Sequence, residues 1–358
     1  MVSAHIRPDL DAIPAYIAGR SHPDLVKLAS NETTFPPLPS VAKAIAEAAE
    51  LVNRYPDNAA LELRSAIAEF HGVAVENVAA GCGSVALCQE LVQITCLAPT
   101  DEVVFAWRSF EAYPIVTQVA GATAVRVPLD HDFAHDLDAL AAAITPNTRV
   151  VFVCNPNNPT GTAHGTAELI RFVDSVPANV LVVLDEAYYE YMRLDDQPNG
   201  VEIGRTRPNV LVLRTFSKAY GLAGLRVGYA VGDPDVVTAL MKVHIPFSVN
   251  RVAQAAAIAS LDARHELLER TNAVVAERNR MRDALVAAGY RVADSQANFL
   301  WLPLGDRSGE YGQASAEAGV LVRPYGDDGV RITAGDPHEN DLFLSFATDP
   351  ATVARFLG

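Results

Sequence analysis

Four polar stretches in this chain each follow a short apolar run, and together they hold the side chains best suited to chemistry. Cys82, Gly83 and Ser84 come after VAAG, and Cys154-Asn155-Pro156-Asn157-Asn158-Pro159-Thr160-Gly161 after RVVFV. Asp185, Glu186, Ala187 and Tyr188 come after VLVVL, and Thr215, Phe216, Ser217 and Lys218 after VLVLR. Ligands of doubly wound sheets lie beyond the carboxyl ends of the strands, so strand ends of this kind gather distant residues on one edge. Lysine is scarce: of four in the chain, Lys43 and Lys242 sit in helical patterns and Lys27 trails a short apolar run. Lys218 alone has reactive company. An amine at such an edge can form a Schiff base, and a carboxylate at another strand end can keep a pyridine nitrogen protonated. That pair is what pyridoxal-phosphate chemistry requires.

Those side chains need a sheet to hold them. VAAGCG, EVVFAW, TAVRVPL, RVVFVCN, NVLVVLDEAY, NVLVLRTF and LRVGYAV read as seven strands, several apolar on both faces as in a sheet covered by helices. Helical periodicity runs through SVAKAIAEAAELV, ALELRSAIAEFHG and TAELIRFVDSV, and through one long segment from Arg251 to the glycine at 289. YRVADSQANFLWLPL, AGVLVRPYG and DGVRITAG then read as shorter strands of a second lobe. The expectation is an α/β protein with a mostly parallel seven-stranded sheet in a large domain, residues 31–250. A smaller α+β domain spans 251–358, and residues 1–30 form an arm without an element of its own.

Composition excludes several other roles. A formal charge of −15 over 358 residues argues against a nucleic-acid or anionic-membrane surface. No run approaches the length that crosses a bilayer and no apolar leader opens the chain, so a cytoplasmic protein is expected. Cys82, Cys88, Cys96 and Cys154 form no CxxC pair, and no HExxH occurs, which points to buried thiols and no metal.

Taken in order, Asn158-Pro159-Thr160-Gly161, Asp185-x-x-Tyr188, Ser217-Lys218 and Gly221-Leu222-Ala223-Gly224-Leu225-Arg226-x-Gly228 resemble the fold-type I aminotransferases, specifically the histidinol-phosphate aminotransferase subfamily. The resemblance runs from LVKLASNE near Leu25 to DPHEND near Asp336. It implies pyridoxal 5′-phosphate as cofactor, with Lys218 joining it and later moving the proton, and Asp185 on the ring nitrogen. It further implies Tyr188 and Asn158 at the phenolic oxygen, and Ser217, Arg226 and the amides near Ser84 and Val85 at the phosphate. Phe110 matches the aromatic stacked on the ring. Arg331 matches the clamp on the substrate carboxylate, with Tyr16 and Asn31 beside the substrate. Tyr55, in NRYPD, matches a tyrosine that reaches the neighbouring subunit's phosphate, which implies a homodimer. The chain departs from the family at Val85 and Ala86, where an acidic residue is usual, but phosphate contacts there are largely to backbone.

The expected reaction moves the amino group of an aromatic L-amino acid to 2-oxoglutarate, because NETTFPPLPSV looks closer to the subfamily's aromatic amino acid aminotransferases than to its histidinol-phosphate members. Ile13, Tyr16 and Phe35 offer a phenyl ring an apolar wall, whereas Arg20 and Arg323 would serve histidinol phosphate, the alternative donor. A remote alternative is a nicotinamide oxidoreductase, since Gly81-Cys82-Gly83-Ser84-Val85-Ala86 fits a GxGxxA fingerprint. Its ribose carboxylate is missing, because Asp101 and Glu102 fall ahead of the next apolar run, not after it. A non-catalytic module on this fold would be expected to lose Lys218 or Asp185, and a lyase would keep both.

Overall fold

The computed structural model describes residues 6–12 and 22–358. In chain order the strands are β1 (Val26–Lys27), β2 (Val78–Gly81), β3 (Glu102–Trp107), β4 (Thr123–Pro128), β5 (Thr148–Cys154) and β6 (Leu181–Asp185). They continue as β7 (Val210–Thr215), β8 (Gly228–Val231), β9 (Phe299–Leu302), β10 (Val320–Leu321), β11 (Arg323–Tyr325) and β12 (Gly329–Thr333). All seven expected strands of the large sheet form, in the order β2-β8-β7-β6-β5-β3-β4. Strands β5, β6 and β7 are buried along nearly their whole length, which is why they read as unbroken runs of Val, Leu and Phe.

Only β8 runs against its neighbours, antiparallel to both β2 and β7. The reversal serves the site. The residues entering β8, Arg226 and Val227, arrive at the same edge where β2, β5, β6 and β7 end. Strand order thus delivers Ser84, Asn158, Asp185, Lys218 and Arg226 to one place from five segments of chain.

The second lobe is built on a three-stranded antiparallel sheet, β11-β12-β9, which sets Arg331 between Arg323 and Trp301. Two expectations change here. The segment from Arg251 is two helices, Arg251–Asp262 and Arg264–Ala287, parted at Ala263 where ψ turns to 20°. No glycine or proline marks that break, so periodicity reads straight through it. The first of the two packs on the helices Pro39–Ala49 and Leu61–His71, and the second packs on Pro337–Ala347. The first thirty residues do contain an element: β1 pairs in parallel with β10, and Leu28 is fully buried between the Leu321 carbonyl and the Thr333 amide. Two residues are too few to show alternation.

Among the described residues no helix is long and apolar enough to cross a membrane.

Candidate active site

A cleft opens where the carboxyl edge of the large sheet meets β11 and β12. Ser84, Val85, Phe110, Asn158, Asp185, Tyr188, Ser217, Lys218, Arg226, Asn31 and Arg331 all line it. These are every predicted site residue except two. Tyr16 lies outside the described residues, together with Ile13 and Arg20. Tyr55 is 77% exposed, stacks on Phe247 at 4.5 Å and does not line this chain's own cleft.

Lys218 reaches the cleft from the turn after β7, and its Nζ makes a long hydrogen bond, 3.4 Å to the Ser30 carbonyl. Burial, then the nearby Arg331 charge, lowers its pKa to about 8. An amine so poised has a substantial neutral, nucleophilic fraction near neutral pH. Asp185, at the end of β6, is buried and accepts from the Tyr113 hydroxyl at 2.7 Å and the Ala187 amide at 3.2 Å. Burial pushes its pKa up to about 6 against those two bonds, and among the described residues no ion pair offsets the burial. A protonated ring nitrogen would supply the missing cation.

Hydroxyl and amide groups opposite are already oriented. Asn31 Nδ2 donates to the Tyr188 hydroxyl at 2.8 Å, leaving the tyrosine its own proton to give. Arg331 Nη1 donates to Asn158 Oδ1 at 2.6 Å, so the Asn158 amide nitrogen remains the free donor. Arg331 is further held by the Tyr325 hydroxyl at 2.7 Å and the Ala29 carbonyl at 2.9 Å, while its buried Nε has no partner among the described residues. A guanidinium fixed on one side with an unpartnered N–H suits a carboxylate.

The anion cradle depends on two glycines. A Cβ on Gly83, whose φ is +75°, would stand 2.6 Å from Arg226 Nη2, and one on Gly228 would stand 2.6 Å from the Ser84 amide nitrogen. Without side chains there, Arg226 closes over the amino end of the 13-residue helix Gly83–Thr95. Arg226 Nη1 also donates to Ser217 Oγ at 3.3 Å. Free amides, a helix amino terminus, a hydroxyl and a guanidinium converge as a phosphate requires.

Sequence reasoning missed Tyr113, Tyr325 and Glu111. The signal for Tyr113 was its spacing of three from Phe110, which places the two in edge contact at 5.6 Å. Arg323 lines the cleft and pairs with Glu111 at 3.2 Å. Phe35 does not line the cleft; it packs on the Arg270 guanidinium. The dinucleotide alternative still lacks its ribose carboxylate, since Asp101 is engaged just ahead of β3 by the Leu97 and Ala98 amides, at the end of the strand away from Phe110.

Sheet order, amine, buried carboxylate and cradle place the protein among the fold-type I pyridoxal-phosphate enzymes. Residues 23–351 match the family model described as aminotransferase class I and II, and the chain belongs to that family. It is 77% identical to the aromatic amino acid aminotransferase of Nocardia farcinica, covering 99% of this chain and 100% of that one. It is 69% identical to the protein of that name in Rhodococcus jostii, over 98% and 97% of the two chains. The histidinol-phosphate aminotransferase of Sinorhizobium meliloti in complex with pyridoxal 5′-phosphate superposes with a TM-score of 0.89 at 28% identity, over 99% of each chain. Aspartate aminotransferase of Thermus thermophilus with maleate gives 0.81 at 26%, over 91% of each.

Proposed function

We propose that the protein is a homodimeric aminotransferase that carries the amino group of phenylalanine, tyrosine or tryptophan to 2-oxoglutarate. The observation that carries the reaction is Lys218 Nζ in one cleft with the unpaired Asp185 carboxylate and the pre-fixed Arg331. Ser217, Arg226 and the amides of Ser84 and Val85 would hold the cofactor's phosphate, Asp185 its ring nitrogen, Tyr188 and Asn158 its phenolic oxygen, and Phe110 its face. When bound, pyridoxal phosphate supplies an electron sink for the broken Cα–H bond. Arg331 takes the substrate carboxylate and so decides which Cα bond stands over that sink. Lys218 Nζ removes the Cα proton as general base and returns it on the other side of the exchange.

Similarity at 77% over the full length to a protein named for aromatic substrates supports the donor class. The cleft agrees, for Arg323 shares its fork with Glu111 at 3.2 Å, and that carboxylate repels an incoming phosphate dianion. The histidinol-phosphate reading keeps the support of the Sinorhizobium meliloti neighbour. A panel of donors with 2-oxoglutarate separates the two. Phenylalanine and tyrosine are expected to exceed histidinol phosphate in kcat/KM by about tenfold or more, equivalent to about 1.4 kcal/mol. A tenfold preference for histidinol phosphate would reverse the substrate assignment and leave the reaction class standing.

The dimer is supported by Tyr55, which stacks on Phe247 in a surface where Leu51, Val52 and Ile245 are also exposed. Such a patch suits a protein partner. If Tyr55 completes the neighbour's phosphate site, Tyr55→Phe and Lys218→Ala subunits, each impaired alone, regain activity on mixing. One site of the heterodimer then carries both lesions and the other none. A fully active monomer in sedimentation would dismiss the shared site. The four unpaired cysteines suit a reducing, cytoplasmic setting.

A further inference from the structure

We propose that Tyr113 is a positioning residue for this reaction, fixing the Asp185 carboxylate from behind the cleft so that it meets the cofactor's ring nitrogen ionised and in one orientation. The proposal rests on the reading of Asp185 as that nitrogen's partner.

Tyr113 stands in the first turn of the helix Ala112–Ala120, is fully buried and does not line the cleft, whereas Asp185 does. Its hydroxyl donates to Asp185 Oδ2 at 2.7 Å. The ring is stacked on Phe152 at 4.5 Å and 13°, tilted on Phe105 at 5.8 Å, and meets Phe110 edge-on at 5.6 Å. Three aromatic contacts therefore fix the height of the hydroxyl. Through Phe110 the same side chain touches the residue assigned to cover the cofactor ring. One tyrosine thus references both the edge and the face of the bound heterocycle.

The groups around Asp185 leave this task to Tyr113. Cys154 sits opposite Asp185 in the β5–β6 register, and Cys88 approaches from the helix Gly83–Thr95. Burial first, and the Asp185 charge second, raise both thiols, so they stay neutral. Glu186, next along the strand, points away into its own pair with Arg214 at 2.8 Å. Lys218 and Arg331 also line the cleft, but they are held by other groups, Lys218 by the Ser30 carbonyl and Arg331 by Asn158, Tyr325 and the Ala29 carbonyl. The hydrogen bond from Tyr113 is the largest influence favouring an ionised Asp185 against its burial, followed by the Ala187 amide. A hydrogen bond to the charged form lowers a carboxyl pKa, so deleting it raises the pKa.

The test is Tyr113→Phe, which keeps the ring and its packing. In apoprotein titrated with pyridoxal phosphate and followed by absorbance, the pH at which binding is half lost is expected to move up by about one unit. The acid limb of kcat/KM moves with it, giving about fivefold lower activity at pH 6 and little change at pH 8. In an Asp185→Asn background the same substitution is expected to add nothing. An unmoved acid limb would overturn the proposal, as would an equal loss in the Asp185→Asn background. Phe152→Leu, which loosens the ring yet keeps the hydroxyl, controls for packing: an equal pH shift there would also overturn it. If Asp185→Asn alone leaves both binding and rate untouched, the underlying reading of Asp185 falls too, a result distinct from failure of Tyr113.

Discussion

Lys218→Ala is expected to lower transamination by at least about 10^4-fold while leaving the fold intact, because one side chain supplies both the nucleophile and the general base. Structurally the amine holds little together. Its single hydrogen bond among the described residues, 3.4 Å to Ser30, is at the weak end of the range, so truncation removes function and hardly any structure. The cradle of Ser217, Arg226 and the helix amino terminus is untouched, and the variant should still take up pyridoxal phosphate. Its absorbance should then lack the band of the lysine-linked cofactor, and circular dichroism should match the wild type. In the unmodified apoprotein the amine is held at about 8 by burial and by Arg331, so its reaction with the cofactor aldehyde should accelerate as pH rises through that value. Arg331→Lys should shift that dependence far less than Arg331→Gln, which removes a charge. Wild-type-like turnover in Lys218→Ala would sink the assignment.

How much of this was legible beforehand depends on the range over which each feature is encoded. The central strands of the large sheet, β5, β6 and β7, are buried on both faces, and burial writes itself into sequence as runs such as RVVFVC and VLVLRT. The polar residues that end those runs were therefore visible as a set, and Asp185, Lys218 and Arg226 do meet in one cleft. What escaped notice is carried by contacts between distant residues. β1 is two residues long and exists only because β10 lies alongside it. Tyr113 is a common apolar-helix residue until the fold sets its hydroxyl against Asp185, 72 positions away. Glu111 gains meaning only opposite Arg323, 212 positions on. The break at Ala263 carries no sequence mark, and packing against two different sets of helices imposes it.

Asp185→Asn is the second large effect, expected to cost on the order of 10^2–10^3-fold in kcat, the scale on which an enzyme loses a fixed group that stabilises developing charge. The substitution is close to isosteric, and the Tyr113 hydroxyl can still donate to the amide oxygen. Stability should move the other way. Burial raises the folded-state pKa of Asp185 to about 6, above the usual 3.8, so the folded apoprotein binds a proton more tightly than the unfolded chain does. Between those two values stability at this group falls as pH rises, and at pH 7 the ionised carboxylate is a net burden in the absence of a cation. Asparagine removes that burden, so the apo variant should melt no lower than the wild type at pH 7, and the gap should close on acidification below pH 4. Cofactor binding shows the opposite ordering. Wild-type affinity should weaken as pH falls through about 6, where the carboxylate takes up its proton, whereas the asparagine variant should bind weakly with no such break. Thermal melts of the apoprotein, titration with pyridoxal phosphate across pH 5 to 8 and single-turnover rates measure the three together. An unchanged rate, or a variant whose affinity still breaks near pH 6, would mean that another group meets the ring nitrogen.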